Sequence, residues 1–286
     1  MKENLVERVI VATDFSEGAQ RALDRAARLR LHPEAEISLV HVVPRDVPGK
    51  LRAEVIRLAG ERLRQAATAA EEQARAAGRA PLKVEVDVLE GSPAKQIVKR
   101  ARAVSADLVV LGRHGRRPFA DVFLGTTAQK VLRQGSAPML LVQLGPEVAY
   151  ERVLVGVSLE SGSARVIKAS ALVAPSASVE VFHASHVPFE DYVALSGELA
   201  TTYRDEYATE ASLALETLMA KARLDAKKAI KPGDPRRLLL EEVRTFGAQL
   251  LVMGTHGRKG LERLVLGSVA EWVLANAAID VLVIRT

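Results

Sequence analysis

Two short stretches of this sequence combine residue types that can hold a phosphorylated ligand. The first reads Gly112-Arg-His-Gly115, then nine residues, then Gly125-Thr126. The second reads Gly254-Thr-His-Gly257, nine residues, then Gly267-Ser268. The shared pattern is G-x2-G-x9-G-[ST]. Glycines let a backbone approach a ligand closely. Where such a loop enters a helix, the leading amides and the helix dipole point partial positive charge at an anion, and the hydroxyl of Thr126 or Ser268 adds a donor. With glycine near 7% of an average protein, chance supplies on the order of 0.01 such matches in a chain of this length. A ribose–phosphate arm could lie across Gly112–Gly115 and end on Gly125–Thr127. The same glycines could instead serve tight turns and close packing of helix on sheet, and the residues alone leave both readings open.

Other chemistry has less support. The chain has no cysteine, which excludes disulfides, thiolate catalysis and zinc–thiolate sites. It has no GxxxxGK[ST] loop, and no paired carboxylates stand near the glycines to activate water; Asp121 lies in the first loop alone. An efficient ATPase or kinase needs positioned charge at the γ-phosphate. His114 and His256 share a place in the two motifs, where packing on ligand or backbone is a simpler role than proton transfer. His41 and His183 end strands and read as structural or as suppliers of backbone contacts. Arg116, Arg117, Arg258 and Lys259 can screen phosphates or simply be solvated. Trp272 lies on the helix after the second motif and is expected in the core.

The elements that position these loops occur twice. Gly91–Gly112 aligns without gaps on Gly233–Gly254, and the offset of 142 persists through His41/His183 and Gly125/Gly267. Near the start, Glu7-Arg8-Val-Ile-Val matches Glu151-Arg152-Val-Leu-Val at an offset of 144, so two residues are missing before the second strand of the second copy. The first copy alternates short β-branched runs (Val9–Thr13, Ile37–Val43, Val84–Leu89, Leu108–Leu111, Met139–Val142) with amphipathic stretches (Glu17–Leu29, Val47–Ala77, Ser92–Val104, Val122–Leu132). Ser16, Ser92 and Asp234 stand where helix caps belong. The second copy repeats the order, with a weaker third strand around Ala226–Lys231. Apolar strands separated by helices imply parallel sheets with right-handed crossovers, hence two tandem doubly wound five-stranded α/β domains, 1–146 and 147–286. Such sheets bind ligands at the carboxyl ends of their strands, where the chain order switches sides. Both motifs leave the fourth strand there. The apolar fifth strands would be exposed edges unless the halves pair through them as a pseudo-twofold couple.

Composition sets the remaining bounds. The 286 residues are 48% hydrophobic and 26% charged with a net charge of +5, as in an ordinary globular protein. Basic residues alternate with Glu, and no basic stripe with interleaved aromatics suggests nucleic acid. No apolar run reaches the ~20 residues of a membrane span, and Met1-Lys2-Glu3-Asn4 does not open a signal peptide. A cytoplasmic protein without nucleic-acid or membrane partners is the expectation.

The whole chain resembles the universal stress proteins in their tandem form, most closely over Leu108–Val142 and Leu250–Ile284, where the second copy reads Gly-Thr-His-Gly-Arg-Lys-Gly-Leu-Glu-Arg-Leu-Val-Leu-Gly-Ser-Val-Ala-Glu. The resemblance implies a Rossmann-like fold of the adenine-nucleotide α-hydrolase type, ATP as ligand with Mg2+ on its phosphates, and a regulatory role in stress response without efficient catalysis. Carried over by position, Asp14 would contact the nucleoside and Val42 would offer its backbone to adenine. Gly112, His114 and Gly115 would line ribose and α-phosphate, and Gly125, Thr126 and Thr127 the outer phosphates. Gly254, His256, Gly257, Gly267, Ser268 and Val269 take the same places in the second copy. There Ser158 replaces Asp14, and the carboxylate is lost. A slow ATPase or nucleotidyl-transfer enzyme, a nucleotide-free scaffold for another small anion or lipid, and a homodimer of the chain are alternatives compatible with the sequence. The Ser-Gly-Gly-x-Asp-Ser loop of the transferases is absent, since that position reads Thr13-Asp-Phe-Ser-Glu-Gly18.

Overall fold

The computed structural model describes residues 6–79, 81–113, 125–160, 162–185, 198–255 and 266–286. In the first half the strands are β1 (Arg8–Ala12), β2 (Glu36–Val43), β3 (Lys83–Glu90), β4 (Leu108–Gly112) and β5 (Met139–Val142), with helices α1 (Glu17–Arg28), α2 (Gly49–Ala76), α3 (Pro93–Ala103) and α4 (Thr126–Gln134). The second half has β6 (Arg152–Gly156), β7 (Ser178–Ser185), β8 (Lys227–Pro232), β9 (Leu250–Gly254) and β10 (Asp280–Ile284), with α5 (Ser163–Val173), α6 (Glu198–Ala222), α7 (Pro235–Phe246) and α8 (Ser268–Asn276).

All strands belong to one sheet in the order β3-β2-β1-β4-β5-β10-β9-β6-β7-β8. Pairing is parallel within each half, and the halves join where β5 and β10 run antiparallel, with Leu140 opposite Leu282. The expected pseudo-twofold couple is therefore present. The apolar fifth strands cover each other, and the strands left at the rim are β3 and β8. Both carry charge (Lys83, Glu85, Asp87; Lys227, Lys228, Lys231), and β8 ends in Pro232, features that discourage further strand addition.

The strands are apolar without alternation because both faces are covered. Val9, Val11, Val110, Leu282 and Ile284 pack with Leu23, Leu63, Ile167 and Leu215, so α1, α2, α5 and α6 lie on one face. Ile10, Val109, Leu111, Val281 and Val283 pack with Ile97, Val131, Leu239 and Val273, which places α3, α4, α7 and α8 on the other. Each core runs through both halves.

Local expectations meet mixed outcomes. Ser16 caps α1 by accepting from the Ala19 amide, and Asp234 caps α7 through the Arg236 amide, whereas Ser92 stands at its cap position without a side-chain bond. The third strand of the second half is two residues shorter than its counterpart. The helix expected from Val122 runs from Thr126 to Gln134, residues 122–124 lying outside the described set. Trp272 is 38% exposed rather than core, because its helix turns Val273 and Leu274 inward instead.

The linker between the halves, Leu144–Tyr150, is held by a buried polar cluster centred on Asp280, which is fully buried. Its Oδ1 accepts the amides of Gln143 and Leu144, each at 2.7 Å, and its Oδ2 accepts the Tyr150 hydroxyl at 2.5 Å. Arg25 Nε lies 3.2 Å from the same carboxylate, while its Nη atoms donate to the carbonyls of Val148 and Gly145. Burial and the neighbouring carboxylate hold the Tyr150 phenol well above its ordinary value, so it remains a donor.

A second polar group responds to pH. Glu180 on β7 has its carboxyl raised above the ordinary 4.5 by burial and by the nearby Glu242 charge. Burial favours its neutral form, so the contribution of Glu180 to stability is fullest below 4.5 and is lost as pH rises through its raised value. Glu180→Gln is expected to remove this decline, leaving denaturation midpoints less dependent on pH across the upper carboxylate range. An unchanged pH profile would refute the assignment.

Candidate functional site

In each half the strand order reverses direction between the first and fourth strands, β1/β4 and β6/β9. This is where doubly wound sheets take ligands. The loop after β1 is tightly built. The Thr13 amide donates to Val40 O at 2.8 Å, the Phe15 amide to Thr13 Oγ1 at 2.9 Å, and the Ser16 amide to Asp14 Oδ1 at 3.0 Å. Phe15 adopts φ 62°, and its counterpart Leu159 adopts φ 65°. A left-handed residue with a side chain is costly, and such conformations cluster where function over-determines the backbone. The Phe15 ring lies 4.4 Å from His41, and the Arg62 guanidinium lies 5.7 Å from the Phe15 ring centroid.

The strand-end histidines have the structural role expected of them. His41 Nδ1 is 2.8 Å from Thr13 O and His183 Nδ1 is 2.9 Å from Val157 O. A carbonyl only accepts, so Nδ1 carries the proton in both rings, and each ring ties the end of one strand to the turn leaving its neighbour. Backbone alternation sets the direction of the Val42 polar groups. Val40 O faces β1 and Val43 O accepts from Gly91 on the β3 side, so the polar groups of Val42 point to the side where β1 has already ended. The same bonds recur from Val157 to Phe182 and from Gly233 to Ser185, which makes Ala184 the second-half counterpart. The offset of 142 pointed to Ala184, which reading the motifs alone passed over.

The motif glycines divide into two roles. A Cβ on Gly112 would stand 2.4 Å from Gly18 O, so the first turn of α1 occupies that space and packing alone requires glycine there. Gly254 is less tightly enclosed, a Cβ there meeting only side-chain atoms, of Thr286 at 3.0 Å and Val166 at 3.5 Å. Gly125 and Gly267 are the N-caps of α4 and α8, and neither helix has a side-chain cap. They also close their loops at the base. A Cβ on Gly125 would come within 3.3 Å of Arg113 O, and the Gly267 amide donates to Thr255 O at 2.8 Å. Thr126 and Thr127 open α4, and Ser268 and Val269 open α8, their amides directed along the helix axis away from its body. Asp14 and Val42 come together at the first switch point with Gly112, and Gly125 closes the loop from β4. His114, Gly115, His256 and Gly257 lie outside the described residues, as do Asp121, Arg116, Arg117, Arg258 and Lys259.

A comparison with known families decides what these paired switch points belong to. The model of the universal stress protein family matches the chain twice, over residues 6–143 and 149–285. The chain belongs to the universal stress protein family. A universal stress protein of Mycolicibacterium smegmatis is 28% identical over 290 residues, covering 97% of this chain and 96% of that protein. Universal stress protein A homolog 2 of Coxiella burnetii is 32% identical over 142 residues, 48% of this chain and 95% of its own length. A universal stress protein structure from Archaeoglobus fulgidus covers 100% of this chain and 99% of its own at a TM-score of 0.71 and 19% identity. The tandem form of the universal stress protein fold thus extends over both halves.

Two arginines that the motifs did not reveal tie the halves together at these loops. Arg113, buried just after Gly112, donates to the Ala275 and Ala277 carbonyls at the end of α8. Arg285 donates to the Gly135 carbonyl at the end of α4. The carbonyls at 135 and 277 are repeat equivalents, yet the arginines come from different positions of the repeat, so only the fold reveals the exchange. Glu271 on α8 further accepts from Gln129 Nε2 at 2.9 Å and pairs with Arg133 at 3.2 Å on α4.

Proposed function

We propose that this universal stress protein is a regulatory adenine-nucleotide binder, with ATP as the ligand and two domains, 1–146 and 147–286, each offering one site. The observation that carries the reading is the recurrence, at both switch points, of a loop closed by Gly125 or Gly267 that leads directly into an uncapped helix. The residues fit the ligand. A glycine N-cap leaves no side chain where a phosphate would meet the first amides. The carboxylate of Asp14 suits a ribose or amino donor, and the backbone of Val42 suits the adenine edge. Gly115 and His114 in the first copy, and Gly257 and His256 in the second, complete the set by their place in the motif. Among the described residues no group of three or more His, Asp or Glu side chains could hold a metal, so Mg2+ would arrive on the phosphates. Bound nucleotide would stabilise the loop and its helix, and the chain would act through the resulting surface rather than by turnover.

Calorimetric titration with MgATP, alongside chromatography of ligand released from heated protein, tests this reading. Saturable binding whose first-half component is lost when Gly125 is replaced by Val supports it; no binding of any adenine nucleotide refutes it. Turnover is expected below about one per minute, a barrier near 20 kcal/mol. Sustained turnover of several per second would identify an enzyme instead.

A further inference from the structure

The pseudo-twofold axis generates two clefts between the halves, and the described residues fill only one of them. The filled cleft lies between α1 and the start of β10. There the linker runs past Asp280 and Arg25, with Arg28 Nη1 donating to Pro146 O at 3.3 Å and Arg25 to the carbonyls of Val148 and Gly145. At the repeat offsets of 144 and 142, Arg25, Arg28 and Asp280 correspond to Ala169, Leu172 and Pro138. All three line a cavity of about 1170 Å³ between α5 and the start of β5. Replacing the long Arg25 by Ala169 and the polar Asp280 by Pro138 accounts for the open space and for its apolar floor, to which Val98, Leu132, Met139 and Ile167 also contribute. The rim is cationic. Arg102, Arg165, Lys168, Arg223 and Arg285 line it against the single carboxylate Asp107 among the described residues, and Asp107 is engaged by the amides of Glu7 and Arg8. Arg165, Lys168 and Arg223 are exposed.

We propose that this second cleft is a docking groove for a short peptide segment of a partner protein, one that carries apolar side chains and carboxylates. Three observations select that occupant. The quasi-equivalent cleft holds a polypeptide segment, Leu144–Tyr150, through its backbone carbonyls, the segment turning where the Val148 amide donates to Gly145 O at 3.2 Å. The apolar floor suits side chains like those of Leu144, Val148 and Tyr150 in the linker. The cationic rim is complementary to Asp and Glu and opposes a basic segment. Thr255 of the second motif also lines the cavity, so the groove borders the second switch point, while no residue of the first motif lines it.

The test is to pan a library of random short peptides against the full chain, then titrate the enriched peptides into wild type and the double variant Arg165→Glu/Lys168→Glu. Both positions are exposed, so the fold is expected to survive, and circular dichroism checks it. Enrichment of acidic, apolar sequences whose affinity falls about ten-fold or more in the variant, with hydrogen-exchange protection over residues 165–172, is the expected result. Three outcomes overturn the proposal: no enrichment, peptides that bind the variant equally well, or protection confined to the α1 side. Self-association of the chain that the double variant abolishes would also overturn it, by identifying the occupant as a second copy.

Discussion

Asp280→Ala is expected to lower stability by about 3–5 kcal/mol, the cost of removing one partner from a buried ion pair. The estimate follows from what the substitution strands. Arg25 is 3% exposed and would keep a buried charge without its carboxylate, although two linker carbonyls would still accept from it. The amides of Gln143 and Leu144 and the Tyr150 hydroxyl would lose their acceptor together, and each unsatisfied buried donor carries its own desolvation penalty. Asp280→Asn should cost nearly as much. Its amide nitrogen is a donor placed among donors, so one side of the cluster is mismatched whichever way the group turns. The combined variant Arg25→Leu/Asp280→Ala should recover part of the loss, because no charge remains buried. Urea denaturation of the three variants, with hydrogen exchange over residues 143–150, provides the measurement. A loss below about 1 kcal/mol for Asp280→Ala would mean that apolar pairing of β5 with β10 holds the halves unaided and that the cluster contributes little.

This cluster also marks what the sequence could not disclose. Strands with both faces buried are legible as apolar runs, and the duplication is legible as an offset, so the sheet, its doubly wound order and the pairing through β5 and β10 followed from periodicity and from the liability of apolar edges. The motif glycines were legible as a pattern but not by role. Gly112 admits α1 at its Gly18 carbonyl, a contact with a helix ninety-odd positions earlier, and no local signal separates that demand from a ligand's. The buried charges were hidden for a related reason. Arg25 and Asp280 look like surface residues in a linear reading, and only the meeting of α1, the linker and β10 buries them. Arg113 and Arg285 exchange across the halves from non-equivalent positions, so comparing the two copies discloses neither. Ala184 was recoverable, since the offset that relates the copies leads from Val42 to it.

The two nucleotide sites are expected to differ, with one tighter and one weaker or empty. Asp14 stands at the first switch point with its Oδ1 held by the Ser16 amide, while Ser158 takes its place in the second half. A charge-assisted hydrogen bond contributes roughly 1.5–3 kcal/mol, equivalent to about ten- to a hundred-fold in affinity. Serine recovers part of that, so a difference of roughly ten-fold is expected where the phosphate cradles are equal. The surroundings of the second loop favour the same ordering. The Thr286 side chain packs on Gly254 and also on Gly162, the N-cap of α5, which has no side-chain cap, whereas Ser16 caps α1 firmly in the first half. Calorimetric stoichiometry on wild type, Gly115→Val, Gly257→Val and Ser158→Asp tests the prediction. Gly115→Val should remove the tight site by adding a branched side chain where the motif calls for close approach of phosphate, and Gly257→Val should touch only the weak one. Ser158→Asp should strengthen the second site. Tight binding that survives Gly115→Val and disappears with Gly257→Val would reverse the order. The phosphate cradle, rather than the carboxylate at the end of the first strand, would then decide which half holds nucleotide.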